Sequence, residues 1–140
     1  MAKKIKVFLD ANTIISAFVF DGVYRKALRL AVEKNHELIT SEYVLDEVNE
    51  VLKNKFPAKR IEIISTLSLM GFKVMPFPAK QDCDKFTSFL RDPKDVPVLT
   101  SAVKRNVDLI LTGDQDFFTE NLRNIVQVID AATFIKRFEK

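Results

Sequence analysis

One cysteine, one histidine and three glycines in 140 residues remove whole classes of chemistry from consideration. Cys83, standing alone, can form no disulfide within the chain and cannot build a zinc knuckle. With His36 as the sole histidine, a Ser-His-Asp arrangement has one candidate base, and no serine stands in a Gly-x-Ser-x-Gly elbow. Gly22, Gly71 and Gly113 form neither a phosphate-cradling loop nor a dinucleotide fingerprint. The apolar segments are short and broken by charge, so none is expected to span a bilayer. The basic start Met1-Ala2-Lys3-Lys4-Ile5-Lys6 reaches Asp10 too soon for a signal peptide, and a cytoplasmic protein is expected. His36 is expected at the surface, and Cys83 as a packed thiol with no electropositive partner.

What is present fits one folded domain over residues 1–140. Hydrophobic residues make up 47% and charged residues 29%, enough apolar material for a full core and too little charge excess for disorder. The net charge is +3. With four of the 19 acids set aside as a site, 22 bases face 15 remaining acids, a basic shell suited to a polyanion. Lysines and arginines such as Arg25, Lys26, Arg29, Lys104 and Arg105 could grip a phosphate backbone, and nothing singles one out.

Apolar periodicity alternates between short runs and helical spacing. Ile5 to Leu9 reads as a buried strand, Asn12 to Phe20 and Val23 to Glu33 as helices, and Glu37 to Thr40 as a second strand. Ser41 opens the clearest helix, with Val44, Leu45, Val48, Val51 and Leu52 in one stripe. Another helix follows Pro57, carries Ile61, Ile64, Leu67 and Leu69, and stops at Gly71. Phe72 to Met75 is a strand, and a short helix is expected from Cys83 to Leu90. Asp95 is expected as the N-cap of a helix running to Arg105, with Pro97 tolerated in its first turn. Val107 to Thr112 and Asn124 to Ile129 are strands, and Ala131 to Phe138 is the closing helix. The alternation gives an α/β fold around a parallel sheet and leaves the strand order open.

Two aspartates directly follow apolar strands, Asp10 after Val7-Phe8-Leu9 and Asp114 after Leu111-Thr112-Gly113. Ligands of open parallel sheets bind outside the carboxyl ends of the strands, so these acids meet if their strands are neighbours. Asp95, opening a helix, belongs to the same edge. Each acid alone has an ordinary role: Asp10 and Asn12 can cap a helix, and Asp114 and Asp116 can form a solvated turn. Clustered, they repel by about 4 kcal/mol per pair at 4 Å and an effective dielectric near 20, which calls for a cation. An all-oxygen set selects a hard ion, Mg²⁺ or Mn²⁺.

In order and spacing these residues resemble the PIN-domain family. The matching segments are Leu9-Asp10-Ala11-Asn12-Thr13, Ser41-Glu42-Tyr43-Val44-Leu45-Asp46-Glu47-Val48, Asp92-Pro93-Lys94-Asp95 with Ala102 beyond, and Leu111-Thr112-Gly113-Asp114-Gln115-Asp116. The resemblance runs from Ile5 to about Phe134. It implies a three-layer α/β/α sandwich with a central, mainly parallel sheet, and a metal-dependent ribonuclease hydrolysing phosphodiesters with a metal-activated water. It assigns Asp10, Glu47, Asp95 and Asp114 as catalytic and metal-binding, with Asp92 and Asp116 as further ligands. Asn12 and Thr112 are implied to orient Asp10 and the water. Many small members are toxins of the VapC type, so RNA, an antitoxin protein and a second copy of the chain are the partners implied, and a membrane is not. Two other readings stand beside this one. A PIN fold can bind RNA or protein without cutting. Asp10-Ala11-Asn12-Thr13 also resembles the Asp-x-Asp-x-Thr motif of haloacid-dehalogenase-like phosphatases, although Asn12 stands where the acid/base aspartate belongs and the chain is short for that fold.

Overall fold

The computed structural model describes residues 3–139. Met1, Ala2 and Lys140, which the expected 1–140 domain and the basic start include, lie outside the described residues. Among those described, five strands form one sheet: β1 (Lys6–Leu9), β2 (Glu37–Ser41), β3 (Lys73–Met75), β4 (Leu109–Leu111) and β5 (Val128–Ile129). Every pairing is parallel and the order is β3-β2-β1-β4-β5. Val7, Phe8, Leu9, Leu109, Ile110 and Leu111 are all buried. Parallel strands covered on both faces carry continuous apolar runs rather than alternation, which is why the two central strands were the easiest to see in sequence.

The helices are α1 (Ala11–Val19), α2 (Val23–Glu33), α3 (Glu42–Lys55), α4 (Arg60–Leu69), α5 (Lys80–Asp84), α6 (Val96–Lys104), α7 (Glu120–Arg123) and α8 (Ala131–Phe138). From β1 the chain steps outward through β2 to β3, then returns across the sheet to β4 and on to β5. Right-handed crossovers put α1 to α4 on one face and α5 to α7 on the other. Contacts of α1 with α2 and α3, and of α3 with α4, fit that arrangement, and α8 folds back onto α2. The result is the three-layer α/β/α sandwich. No helix of the described residues is long and apolar enough to cross a membrane.

Local chemistry sets the helix ends. Asp10, Ser41 and Asp130 each accept a hydrogen bond from the backbone N–H three residues on, at 3.0, 3.2 and 2.9 Å, and so start α1, α3 and α8. Gly71 stops α4 at φ +78°, a left-handed conformation that favours glycine.

Several expectations need correction. The Cys83–Leu90 helix is replaced by α5, ending at Asp84, and a 3-10 turn at Thr87–Phe89 that lets Phe86 and Phe89 pack against the core. The last strand shrinks to Val128–Ile129, because β5 is an edge strand paired with only Ile110 and Leu111, and the backbone N–H groups of Ile125 and Val126 turn back onto the Leu122 carbonyl of α7. His36 is buried, not at the surface. Its Nδ1 accepts from the Ile5 N–H at 3.2 Å, and Phe134 and Phe138 of α8 lie edge-on against its ring. The packing of α8 onto α2 creates that environment, and local sequence carries no trace of it.

Candidate active site

The sheet order reverses between β1 and β4, which makes their carboxyl ends the point where an open α/β sheet gathers ligands. Leu9 pairs with Leu111, so the next residues, Asp10 and Thr112, emerge side by side. The Thr112 hydroxyl donates to Asp10 Oδ2 and accepts from the Asp114 N–H at 3.1 Å. The Thr13 N–H holds Asp10 Oδ1 at 3.0 Å, while the Thr13 hydroxyl donates to the Leu111 carbonyl at 3.0 Å. The Thr40 hydroxyl does the same for the Leu9 carbonyl at 3.1 Å. Three threonine hydroxyls therefore fasten the ends of β1, β2 and β4 without adding charge.

Asp10 is buried, and desolvation raises its carboxyl above the usual range; hydrogen bonds from Thr112 and Thr13 oppose this, and Asp114 adds repulsion. Asp95, Asp114 and Asp116 converge beside it, each half-buried and each offering a carboxylate oxygen within 4.8 Å of the others. Burial first, then the charges of Asp114, Asp92, Asp116 and Asp10, push Asp95 up to about 7. Among the described residues, Asp116 alone of the three is compensated by a cation, the Arg91 guanidinium at 3.0 and 3.2 Å from its two oxygens. Glu47 projects from the second turn of α3, which Ser41 caps at the end of β2. It is exposed as a residue, yet loss of hydration at its carboxyl raises its pKa, with Asp10 and Asp92 adding repulsion and Lys94 opposing.

Asp95 stands at the N-cap position of α6, as expected, but its side chain does not cap the helix. The residue has helical backbone angles and no capping hydrogen bond, whereas Asp92 accepts from the Lys94 N–H at 3.0 Å and starts the 3-10 turn Pro93–Asp95. That turn frees the Asp95 carboxylate to face Asp114 and Asp116, while Asp92 stays outside the three-acid group. Asn12 is exposed and makes no hydrogen bond to Asp10 among the described residues; it lines an adjoining cleft of about 400 Å³ with Thr13, Ser16, Tyr24, Gly113 and Asp114. Thr13, Tyr24, Tyr43 and Arg91 were missed. Thr13 was within reach, since it sits in the quoted motif three residues after a capping aspartate. Tyr24, whose hydroxyl lies against Gly113, and Tyr43, which donates to the Lys94 carbonyl at 2.8 Å, gave no sequence signal.

These carboxylates fit a small divalent cation: all the donors are hard oxygens, they converge, and at Asp95 burial and then the neighbouring acids both disfavour the bare charge. The model of the PIN domain matches residues 6–116, a span holding all six acids. The chain belongs to the PIN-domain family. Membership of that family supports a nuclease. A search of curated proteins by sequence gave no match. Among solved structures, this PIN domain resembles a chain of VapBC2 from Rickettsia felis, bound to a DNA fragment from its promoter, with a TM-score of 0.62 and 18% identity over 90% of this chain and 98% of that one. FitAcB from Neisseria gonorrhoeae gives a TM-score of 0.66 at 16% identity, over 90% and 98%. VapC20 from Mycobacterium tuberculosis, a toxin that cleaves the sarcin–ricin loop, gives 0.62 at 17% identity, over 87% and 98%. At such identities the likeness is one of fold.

Proposed function

We propose that this PIN domain, as one unit over residues 1–140, is a Mg²⁺- or Mn²⁺-dependent endoribonuclease. The observation that carries the reading is the convergence of Asp95, Asp114 and Asp116 beside buried Asp10, at the strand ends where the sheet order reverses. Asp10, Glu47, Asp95 and Asp114 form the working acidic set. Asp116 assists, while Asp92 shapes the turn and adds negative charge. A cation bound by this set would neutralise a phosphodiester and lower the pKa of a water. The protein groups supply the geometry. Thr13 and Thr112 fix both oxygens of Asp10, and Thr112 couples Asp10 to the Asp114 backbone. Burial and the neighbouring acids push the Asp95 carboxyl up to about 7, so a bound cation would favour its ionised form. No protein nucleophile is required, in keeping with a site built without histidine or cysteine.

VapC20, a neighbour in fold, is a toxin that cleaves the sarcin–ricin loop, and VapBC2 is bound to a DNA fragment from its promoter. By that analogy we assign the chain as the toxin of a toxin–antitoxin pair, with an antitoxin protein as partner. Association of two copies is part of the reading, supported by Phe20, Ile61 and Leu69, which are large apolar side chains left exposed. Light scattering at micromolar concentration tests this, and a mass of 16.0 kDa would refute the pair.

The central test is cleavage of structured RNAs with Mn²⁺ and with chelator. Wild type should cut only with the cation. Asp10→Asn should be folded and inactive, because asparagine keeps the acceptor that caps α1 through the Thr13 N–H but loses the charge and the second oxygen, which accepts from Thr112. A folded Asp10→Asn protein with undiminished Mn²⁺-dependent activity would rule out the assignment.

A further inference from the structure

We propose that the cleft beside the acids binds the ribose of a nucleotide flanking the cut, with Asn12, Ser16 and Tyr24 reading its hydroxyls. The proposal rests on the nuclease reading and assigns the part of the substrate that is not phosphate. The cleft, about 400 Å³, is the size of a small-molecule site and adequate for a nucleoside. Asp114 belongs both to this cleft and to the three-acid group, so an occupant of the cleft lies next to whatever the acids hold.

The lining chooses the occupant. Among the described residues no lysine or arginine lines the cleft, and the one charged group that does is the Asp114 carboxylate. A phosphate there would meet repulsion and find no cation. The remaining groups are neutral and polar: an amide, two aliphatic hydroxyls and a phenol. Two of these are committed or partly committed. The Thr13 hydroxyl already donates to the Leu111 carbonyl. The Tyr24 hydroxyl lies in hydrogen-bond reach of the Ala131 backbone, at the start of α8, and keeps its own proton to donate. Asn12 and Ser16 are uncommitted. They lie four residues apart on α1, on the same side of the helix, and neither side chain has a partner among the described residues. Amide and hydroxyl groups both donate and accept, as ribose hydroxyls do, and a 2′-hydroxyl is what distinguishes RNA from DNA at a given position. Gly113 completes the shape, because a side chain there would collide with the Tyr24 hydroxyl.

The test is an NMR titration of the full chain, in chelator, with a short single-stranded RNA and with DNA of the same sequence. The wild type should bind the RNA about tenfold more tightly, the discrimination expected of one or two hydrogen bonds. Ser16→Ala and Tyr24→Phe, both conservative in shape, should each lose most of that preference by weakening RNA binding while DNA binding stays the same. Equal weakening on RNA and DNA would overturn the proposal, as would a wild type that fails to prefer RNA or to bind it. Cleavage of the same RNA with Mn²⁺ is scored separately. RNA-selective binding without cleavage would refute the nuclease reading and leave the ribose subsite standing; cleavage without selective binding would do the reverse.

Discussion

Replacing Asp95 by asparagine removes the acid that its neighbours crowd most strongly. Burial and the charges of Asp114, Asp92, Asp116 and Asp10 push this carboxyl from 3.8 to about 7. At full strength that displacement is worth roughly 4 kcal/mol against the ionised form. The group is only half-buried, and solvent and salt screening reduce the figure to roughly 1–2 kcal/mol. The folded protein keeps this proton to higher pH than the unfolded chain. Wild-type stability from this group is therefore greatest below about pH 4 and falls as pH rises through 7. Asp95→Asn is free of that loss. In chelator at pH 8 it should melt about 3–6 °C above wild type, and near pH 4 the two should coincide. Added Mn²⁺ should reverse the order at pH 8, since wild type gains stability by binding the ion and the variant lacks a ligand. Scanning calorimetry at both pH values, with and without the ion, measures all of this. An apo variant no more stable than wild type at pH 8, or a gap that does not change with pH, would refute the reasoning.

Two other substitutions probe the frame around the acids. Thr112→Val keeps the shape and removes the hydroxyl that joins Asp10 to the Asp114 N–H; denaturant unfolding should show a loss of about 1–3 kcal/mol, and the cleavage assay a fall in kcat with little change in KM. Gly113→Ala would set a methyl 2.6 Å from the Tyr24 hydroxyl, and should cost about 1 kcal/mol or more in the same assay. In a Tyr24→Phe background the nearest ring atom is 3.4 Å away, so most of that cost should disappear; additive effects in the double variant would exclude the contact.

The sequence was most readable where one local force dominates. β1 and β4 are buried on both faces, so their apolar runs stand out, and the acids that follow them could be placed at the sheet edge. Whether those acids meet depended on strand order, which periodicity does not carry; the pairing of Leu9 with Leu111 supplies it. Asp92-Pro93-Lys94-Asp95-Val96-Pro97 contains two possible caps and two prolines. Local preference does not choose between the caps, and the 3-10 turn gives the role to Asp92. Tyr24, Arg91 and buried His36 owe their settings to elements distant in sequence: β4 for Tyr24, Asp116 for Arg91, and α8 for His36.

The hydrogen bond from Thr112 to Asp10 spans 102 positions and closes the last gap in a site whose first acid directly follows the opening strand. During synthesis, a chain that has emerged only through β3 carries Asp10 and Glu47 but none of Asp95, Asp114 and Asp116. The site is then an unfinished object, and β4 must arrive and pair with β1 before the acids converge. Such long-range parallel pairing is slow compared with local helix formation. Chains ended before Asp95 thus lack three of the five acids, and the topology lets the five converge only once β4 has been made and paired.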